Sequence, residues 1–229
     1  MIQATDKNSI RAAVEQFGPA PGARAMLDME KAAAEAAIAS GTYIVWRLPP
    51  APRDCTRVAP NSKCFCGHLA GSHTLKPRSF PCGACACKNY AFIPQRPEEV
   101  GEWWLPRRRG FDVRTWRAMC RCQHSHEDHD PNFRGCRACG CPNFSSNFLC
   151  IACDKHWEEH ETIVESEQER RAERRPVGQD FMPLADTPDI QEIVFDPARQ
   201  GPQKPMIAPK MPVKPERSVR LMMQARKKK

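Results

Sequence analysis

Two stretches of this chain repeat the same spacing of cysteines and histidines. Cys64, Cys66, His68 and His73 follow C-x-C-x-H-x4-H, and Cys120, Cys122, His124 and His129 follow it again. Downstream, Cys82, Cys85 and Cys87 form C-x2-C-x-C, and Cys136, Cys139 and Cys141 form the same pattern. Even the trailing residues agree, KNYAF after Cys87 and PNFSS after Cys141. Such spacing has a physical reason. Zinc takes four sulfur or nitrogen ligands in a tetrahedron, and a C-x2-C turn aims two sulfurs at one ion. The remaining ligands return from the C-x-C-x-H-x4-H arm.

Each unit holds seven candidate ligands, whereas one tetrahedral ion needs four. One solution gives each unit a single zinc, with spare residues supporting it or crossing to a neighbour. The other gives two zincs that share a bridging thiolate. The first is preferred, because bridged clusters are uncommon among structural sites. A third constellation follows at Cys150, Cys153, His156 and His160. His156 and His160 stand one helical turn apart. The expectation is Cys150, Cys153 and one of these histidines, with a fourth ligand from the second unit. About three zinc ions result, within a range of two to five. Cys55 stands outside the pattern and reads as a free thiol; His126 has no repeat partner and reads as solvent-facing.

Composition supports metal as the folding agent. The chain has 229 residues with 13 Cys, 22 Pro and a formal charge of +8. Ile, Leu, Val and Phe supply about one residue in six, below the ~20 % expected of a chain that builds an ordinary core. No run reaches the ~18 apolar residues of a membrane span. The first residues lack a signal-peptide apolar region. A cytoplasmic location with reduced thiols is therefore expected, which favours metal over disulfides. Three zinc sites would bring the charge to about +5, a modest excess that does not argue for nucleic acid.

The expected fold is small and zinc-stabilised: tandem Cys/His zinc-knuckle units, short strands, a C-terminal charged helix and extended tails. Residues 1–54 are an alanine-rich start, with a helix over Ala23–Ala39, a stop at Gly41 and a strand over Tyr43–Leu48. Residues 55–95 form the first zinc unit, 96–119 a Trp/Arg connector, and 120–175 the second unit, the C-x2-C site and a charged helix over 154–175. Residues 176–229 form a Pro-rich basic tail that should be extended, since a proline every few positions removes backbone donors; its final stretch, SVRLMMQARKKK, suits a short basic amphipathic helix. Trp103, Trp104 and Trp116 are expected to form a small core between the units. Tyr90, Phe92, Phe144 and Phe148 should pack over the metal sites.

Enzyme signals dissolve on inspection. Pro81-Cys82-x2-Cys85 and His156-x-Glu158 stand in reversed order for a zinc deaminase. His126-Glu127-Asp128-His129 is one residue short of H-E-x-x-H. No phosphate loop occurs. The sites have ligands to spare, whereas a catalytic zinc keeps one position open.

The runs CFCGHLAGSH, PCGACAC, EEVGEWWLPRRRGF, WRAMCRCQHSHEDH, CRACGC and FSSNFLCIACDKHWEEHET resemble the eukaryotic "family with sequence similarity two-two-one", over roughly residues 62–165. The resemblance implies a Cys/His-rich zinc-binding domain without assigned enzymatic activity, occurring mainly in organisms with motile cilia. The resulting expectation is a non-enzymatic structural or adaptor protein of a ciliary or flagellar axoneme that binds other proteins through its extended tails. Its partners would be proteins of a large assembly, axonemal or microtubule-associated. Two alternatives remain open. A nucleic-acid-binding zinc protein draws on the tryptophans and the basic runs; a ubiquitin-ligase-like zinc cross-brace draws on the C-x2-C pairs.

Overall fold

The computed structural model describes residues 6–76, 79–179 and 187–195. Helix α1 (Lys7–Phe17) starts where Asp6 accepts a hydrogen bond from the Ser9 N–H at 2.8 Å. Helix α2 (Ala23–Ser40) is the alanine-rich run. It stops at Gly41, a left-handed residue whose N–H bonds the Ala37 carbonyl at 2.9 Å. Its face of Leu27, Ala33, Ala34 and Ala37 is buried, and the helix rests on strand β1 (Thr42–Arg47). Small side chains here let helix and strand approach closely.

Strand β1 is the centre of a three-stranded antiparallel sheet. Strand β2 (Thr56–Arg57) pairs on one side, with Val45 opposite Arg57; strand β3 (Glu161–Ser166) pairs on the other, with Ile44 opposite Val164. The expected charged helix over 154–175 is therefore corrected. Residues 161–166 are strand, and helix survives only as α3 (Glu167–Ala172). Two local signals explain the switch. Thr162, Ile163 and Val164 are β-branched, and Ser166 with Glu169 forms a capping box that starts a new helix at that point. The open edge of β1 then outweighs the helix propensity of the Glu/Arg-rich flanks.

The tail is corrected in part. Residues Pro188–Phe195 form helix α4, which packs on α1 and α2 with Ile190 only 2% exposed. Pro188 sits in the first turn, where a missing N–H costs nothing, and the next proline lies beyond the end. Asp189 pairs with Arg11 of α1. The rest of the tail, including the basic end and its expected partner contacts, lies outside the described residues.

The core is an aromatic cluster rather than an aliphatic one. Phe65 meets Phe144 at 5.1 Å and Trp157 at 5.2 Å, and Phe144 meets Trp157 edge-on at 5.3 Å. The Arg134 guanidinium lies 4.0 Å over the Phe65 ring. The tryptophan connector does not form this core. Trp103 and Trp104 are 45% and 43% exposed, and Trp116 alone packs against the cluster. The centre is already filled by rings from the zinc units themselves.

Behind the sheet lies a buried ionic network. Arg170 donates to Glu165 at 2.8 Å and to Asp54 at 2.8 Å; Arg47 pairs with both carboxylates. Asp54 precedes Cys55 in the chain, and Glu165 follows His160 by one strand. The network thereby fixes the Cys55 segment against β3.

Candidate metal centres

The thirteen cysteines and five of the seven histidines gather into five tetrads. In the first unit, Cys64, Cys66, His73 and Cys87 form an inner set, and Cys66, His68, Cys82 and Cys85 an outer one. In the second unit, Cys120, Cys122, His129 and Cys141 form the inner set, and Cys122, His124, Cys136 and Cys139 the outer. The fifth set is Cys55, Cys150, Cys153 and His160. Within each set the ligand atoms all lie within 4.8 Å of one another.

This arrangement corrects four expectations. Each seven-ligand unit divides into two sets sharing one sulfur, Cys66 or Cys122, in place of the preferred single ion. Five candidate sets appear, at the upper end of the expected two to five. Cys55 joins a tetrad instead of standing free, and it supplies the fourth ligand that was expected from the second unit. His156 belongs to none of the sets. Its Nδ1–H donates to the Phe148 carbonyl at 3.1 Å, and Arg121 donates to its Nε2 at 2.7 Å. Both ring nitrogens are thus engaged elsewhere.

The donor chemistry fits a tetrahedral dication. Bonds of roughly 2.0–2.3 Å to sulfur and nitrogen place neighbouring ligands roughly 3.3–3.8 Å apart. The observed separations are 3.7 Å for Cys66 Sγ to His73 Nε2, 3.7 Å for Cys122 Sγ to His129 Nε2 and 3.6 Å for Cys66 Sγ to His68 Nδ1. In the fifth set Cys153 Sγ lies 3.1 Å from His160 Nε2. Three histidines are braced identically. The Nδ1–H of His73, His129 and His160 donates to the carbonyl of Leu69, Ser125 and His156 at 2.9, 2.8 and 2.8 Å. That bond fixes the tautomer and leaves the Nε2 lone pair facing the sulfurs, as metal-binding histidines require. Burial lowers the pKa of His73 and His160, which keeps those rings neutral. His124 Nδ1 is buried without any hydrogen-bond partner, in a ring that shares its set with three cysteines.

Without a cation the most buried of these thiols hold their protons. Burial pushes the Cys55 thiol up to about 12, and the neighbouring Cys150 adds to the shift. Contact with Cys64 pushes Cys87 up to about 12. A divalent cation bound here would reverse the balance by replacing those protons, and its binding would then be coupled to folding. Backbone donors already await thiolates: Ala91 N–H reaches Cys64 Sγ at 3.4 Å, and Ser145 N–H reaches Cys120 Sγ at 3.3 Å.

The third constellation is a further copy of the same arm. Cys66 to His73, Cys122 to His129 and Cys153 to His160 are each seven residues apart. The N–H of Cys64, Cys120 and Cys150 donates to the carbonyl of His68, His124 and Lys155 at 2.8, 2.9 and 2.8 Å. The residue after the second cysteine has positive φ in all three, +89° at Gly67, +68° at Gln123 and +57° at Asp154. Each arm ends in a single 3-10 turn, Ala70–Ser72, His126–Asp128 and Trp157–Glu159, which presents the histidine. Lys155 stands where the outer histidine would be, and no C-x2-C-x-C arm follows. The third copy therefore builds one set and borrows Cys55.

Aromatic rings seal the inner histidines. Tyr90 lies 5.2 Å edge-on to His73 and Phe144 5.2 Å edge-on to His129, while Trp46 stacks on His160 at 3.9 Å. Phe92 and Phe148 are buried beside them. His126 is not solvent-facing. It is 1% exposed under Phe65, and burial brings its pKa down to about 4.

Comparison with known proteins agrees with this reading of a distinct family. The model of the family described as Protein FAM221A/B matches residues 26–102 and 103–194, beyond the part that the motifs alone suggested. Protein FAM221B of Mus musculus is 49% identical over 159 residues, covering 67% of this chain and 33% of that protein. Protein FAM221B of Homo sapiens is 49% identical over 164 residues, 68% of this chain and 40% of that protein. Protein FAM221A of Homo sapiens is 33% identical over 152 residues, 61% of this chain and 44% of that protein. The matched part is thus well under half the length of these relatives. No solved structure matches the chain.

Proposed function

The chain belongs to the FAM221 family, and from that premise we propose that it is a non-enzymatic, zinc-scaffolded adaptor within a larger protein assembly. The observation that carries the reading is the use of every cysteine in closed four-ligand sets. A hydrolytic zinc keeps a position for water; these sets fill all four with protein atoms. The cross-brace alternative keeps its two ions on separate ligands, whereas Cys66 and Cys122 each belong to two sets. That difference favours a scaffold.

Two surface features support a protein partner. A groove of about 1320 Å³ runs beside strand β3, lined by Trp46, Tyr90, Phe92, Phe144 and Trp157. Strand β3 is an edge of the sheet, and such edges accept an added strand. On another surface Trp103 and Trp104 are exposed, with the Arg107 guanidinium 5.6 Å from the Trp103 ring. Exposed aromatic and arginine side chains are the usual anchors of an interface. The same pair would serve base stacking, so a salt titration against DNA and RNA separates the nucleic-acid reading. No helix among the described residues is long and apolar enough to cross a membrane.

What supports a ciliary or flagellar assembly in particular is only what the sequence resemblance implies, a family occurring mainly in organisms with motile cilia. Native mass spectrometry should find five zinc ions per chain; three or fewer would remove the bridged reading. Tagged protein in ciliated cells should collect in the axoneme, and a diffuse distribution would remove the ciliary part alone.

A further inference from the structure

The two sets within each unit are not equivalent. In the first unit three of the four inner ligands are buried, and His73 is braced through Nδ1 and flanked by Tyr90 and Phe80. None of the outer ligands is buried there, and Cys85 is exposed. In the second unit the contrast is smaller, with two inner ligands buried against one outer, Cys136, and the outer set again carries an exposed cysteine, Cys139. Neither outer histidine is braced like the inner ones: no acceptor bonds the ring of His68 or His124 on the side away from the sulfurs, among the described residues.

Sharing makes this asymmetry consequential. The inner set keeps four ligands of its own when the outer one empties, because the bridging sulfur of Cys66 or Cys122 becomes an ordinary terminal ligand. The aromatic core packs against the inner histidines, so it keeps its frame.

We propose that the outer sets, Cys66/His68/Cys82/Cys85 and Cys122/His124/Cys136/Cys139, are exchangeable zinc sites that release zinc to, and regain it from, a chelating or thiol-rich acceptor while the two inner ions and that of the fifth set keep the chain folded. The proposal rests on the five-ion reading above. Each release is a ligand exchange without oxidation. The acceptor takes Zn2+, the two unshared thiolates (Cys82 and Cys85, or Cys136 and Cys139) take up two protons from solvent, and the histidine is freed neutral. The unit's net charge is then unchanged.

The test uses the full zinc-loaded chain. A chromogenic chelator, 4-(2-pyridylazo)resorcinol, reads zinc release while near-UV circular dichroism reads the aromatic core. Two equivalents should leave at least tenfold faster than the rest, with the aromatic signal intact, and added zinc should restore them. Five equivalents leaving in one phase with the aromatic signal would overturn the proposal and leave the five-ion reading standing. Three or fewer ions at the outset would overturn both. The double variant Cys85→Ser/Cys139→Ser should hold three ions, keep the aromatic spectrum and lack the fast phase. A surviving fast phase overturns the assignment; should the variant not fold, the kinetics of the unaltered chain still decide.

Discussion

Histidines one turn apart have different fates here, and that difference is measurable. His160 faces Cys153, whereas His156 is tied to Phe148 and Arg121. His160→Ala should remove one zinc per chain and cost ~4 kcal/mol or more, the range of a lost metal site. His156→Ala should keep the zinc count and cost ~1–2 kcal/mol, the range of a broken buried hydrogen bond. Metal counting on the two purified variants checks both, and equal zinc loss would contradict the assignment. Cys55→Ser should behave like His160→Ala. Gln123 offers a prediction of opposite sign. Its φ of +68° is strained for a side chain, at ~1–2 kcal/mol; glycine, which the first unit uses at Gly67, relieves that but adds ~0.4–1 kcal/mol of unfolded-state entropy. Gln123→Gly should therefore stabilise by about 0.5–1 kcal/mol in denaturant melts. At this scale the candidate ligands were largely legible, since duplicated spacing exposes the five sulfur positions and two histidines of each unit's arms. Cys55 was not, because nothing local marks a ligand supplied from another part of the chain. The sharing of Cys66 and Cys122 was visible only as a count, seven ligands for sets of four.

Among the elements, β3 shows how tertiary context overrides a helical-looking run. Its residues follow His160 directly, so the metal-facing turn at Trp157–Glu159 delivers the chain to the open edge of β1. Once there, Glu165 points into the buried network with Arg47, Arg170 and Asp54. Neither the strand partner nor this network can be read from the local sequence, whereas α2 and β1 could be, because their alanine run, glycine stop and β-branched residues act locally. Breaking the network by removing one partner leaves buried charge uncompensated, at ~3–5 kcal/mol. Arg170→Met should cost that much in denaturant melts. Because Asp54 adjoins Cys55, the same variant should also loosen the fifth zinc, seen as faster loss of one equivalent to chelator. A variant with unchanged stability and zinc retention would show that the network holds neither strand nor ligand.

On the scale of the whole molecule, two kinds of stabilisation lie side by side. The aromatic centre is framed by the candidate ligand sets, and on the proposed zinc loading the metal supplies folding energy that its few aliphatic residues do not. The layer of α1, α2 and α4 contains none of the candidate ligands and is held by apolar contact, with Ile190 of α4 buried where it packs on α1 and α2, and by the ion pair of Asp189 with Arg11. The two should therefore fail separately. Ile190→Asp places a charge in that contact and should cost ~2–4 kcal/mol where the helices meet, in the range for burying an unpaired polar group or charge. Hydrogen exchange should then show lost protection over 7–17 and 188–195, while the zinc count and the near-UV spectrum of the core stay unchanged. Stripping zinc with a strong chelator should do the reverse to the centre first, because Phe65, Phe144 and Trp157 pack on segments whose turns the metal closes. If Ile190→Asp released zinc, the helical layer would have to brace the ligand sets through α2 and β1, and the view of two separately stabilised layers would be wrong.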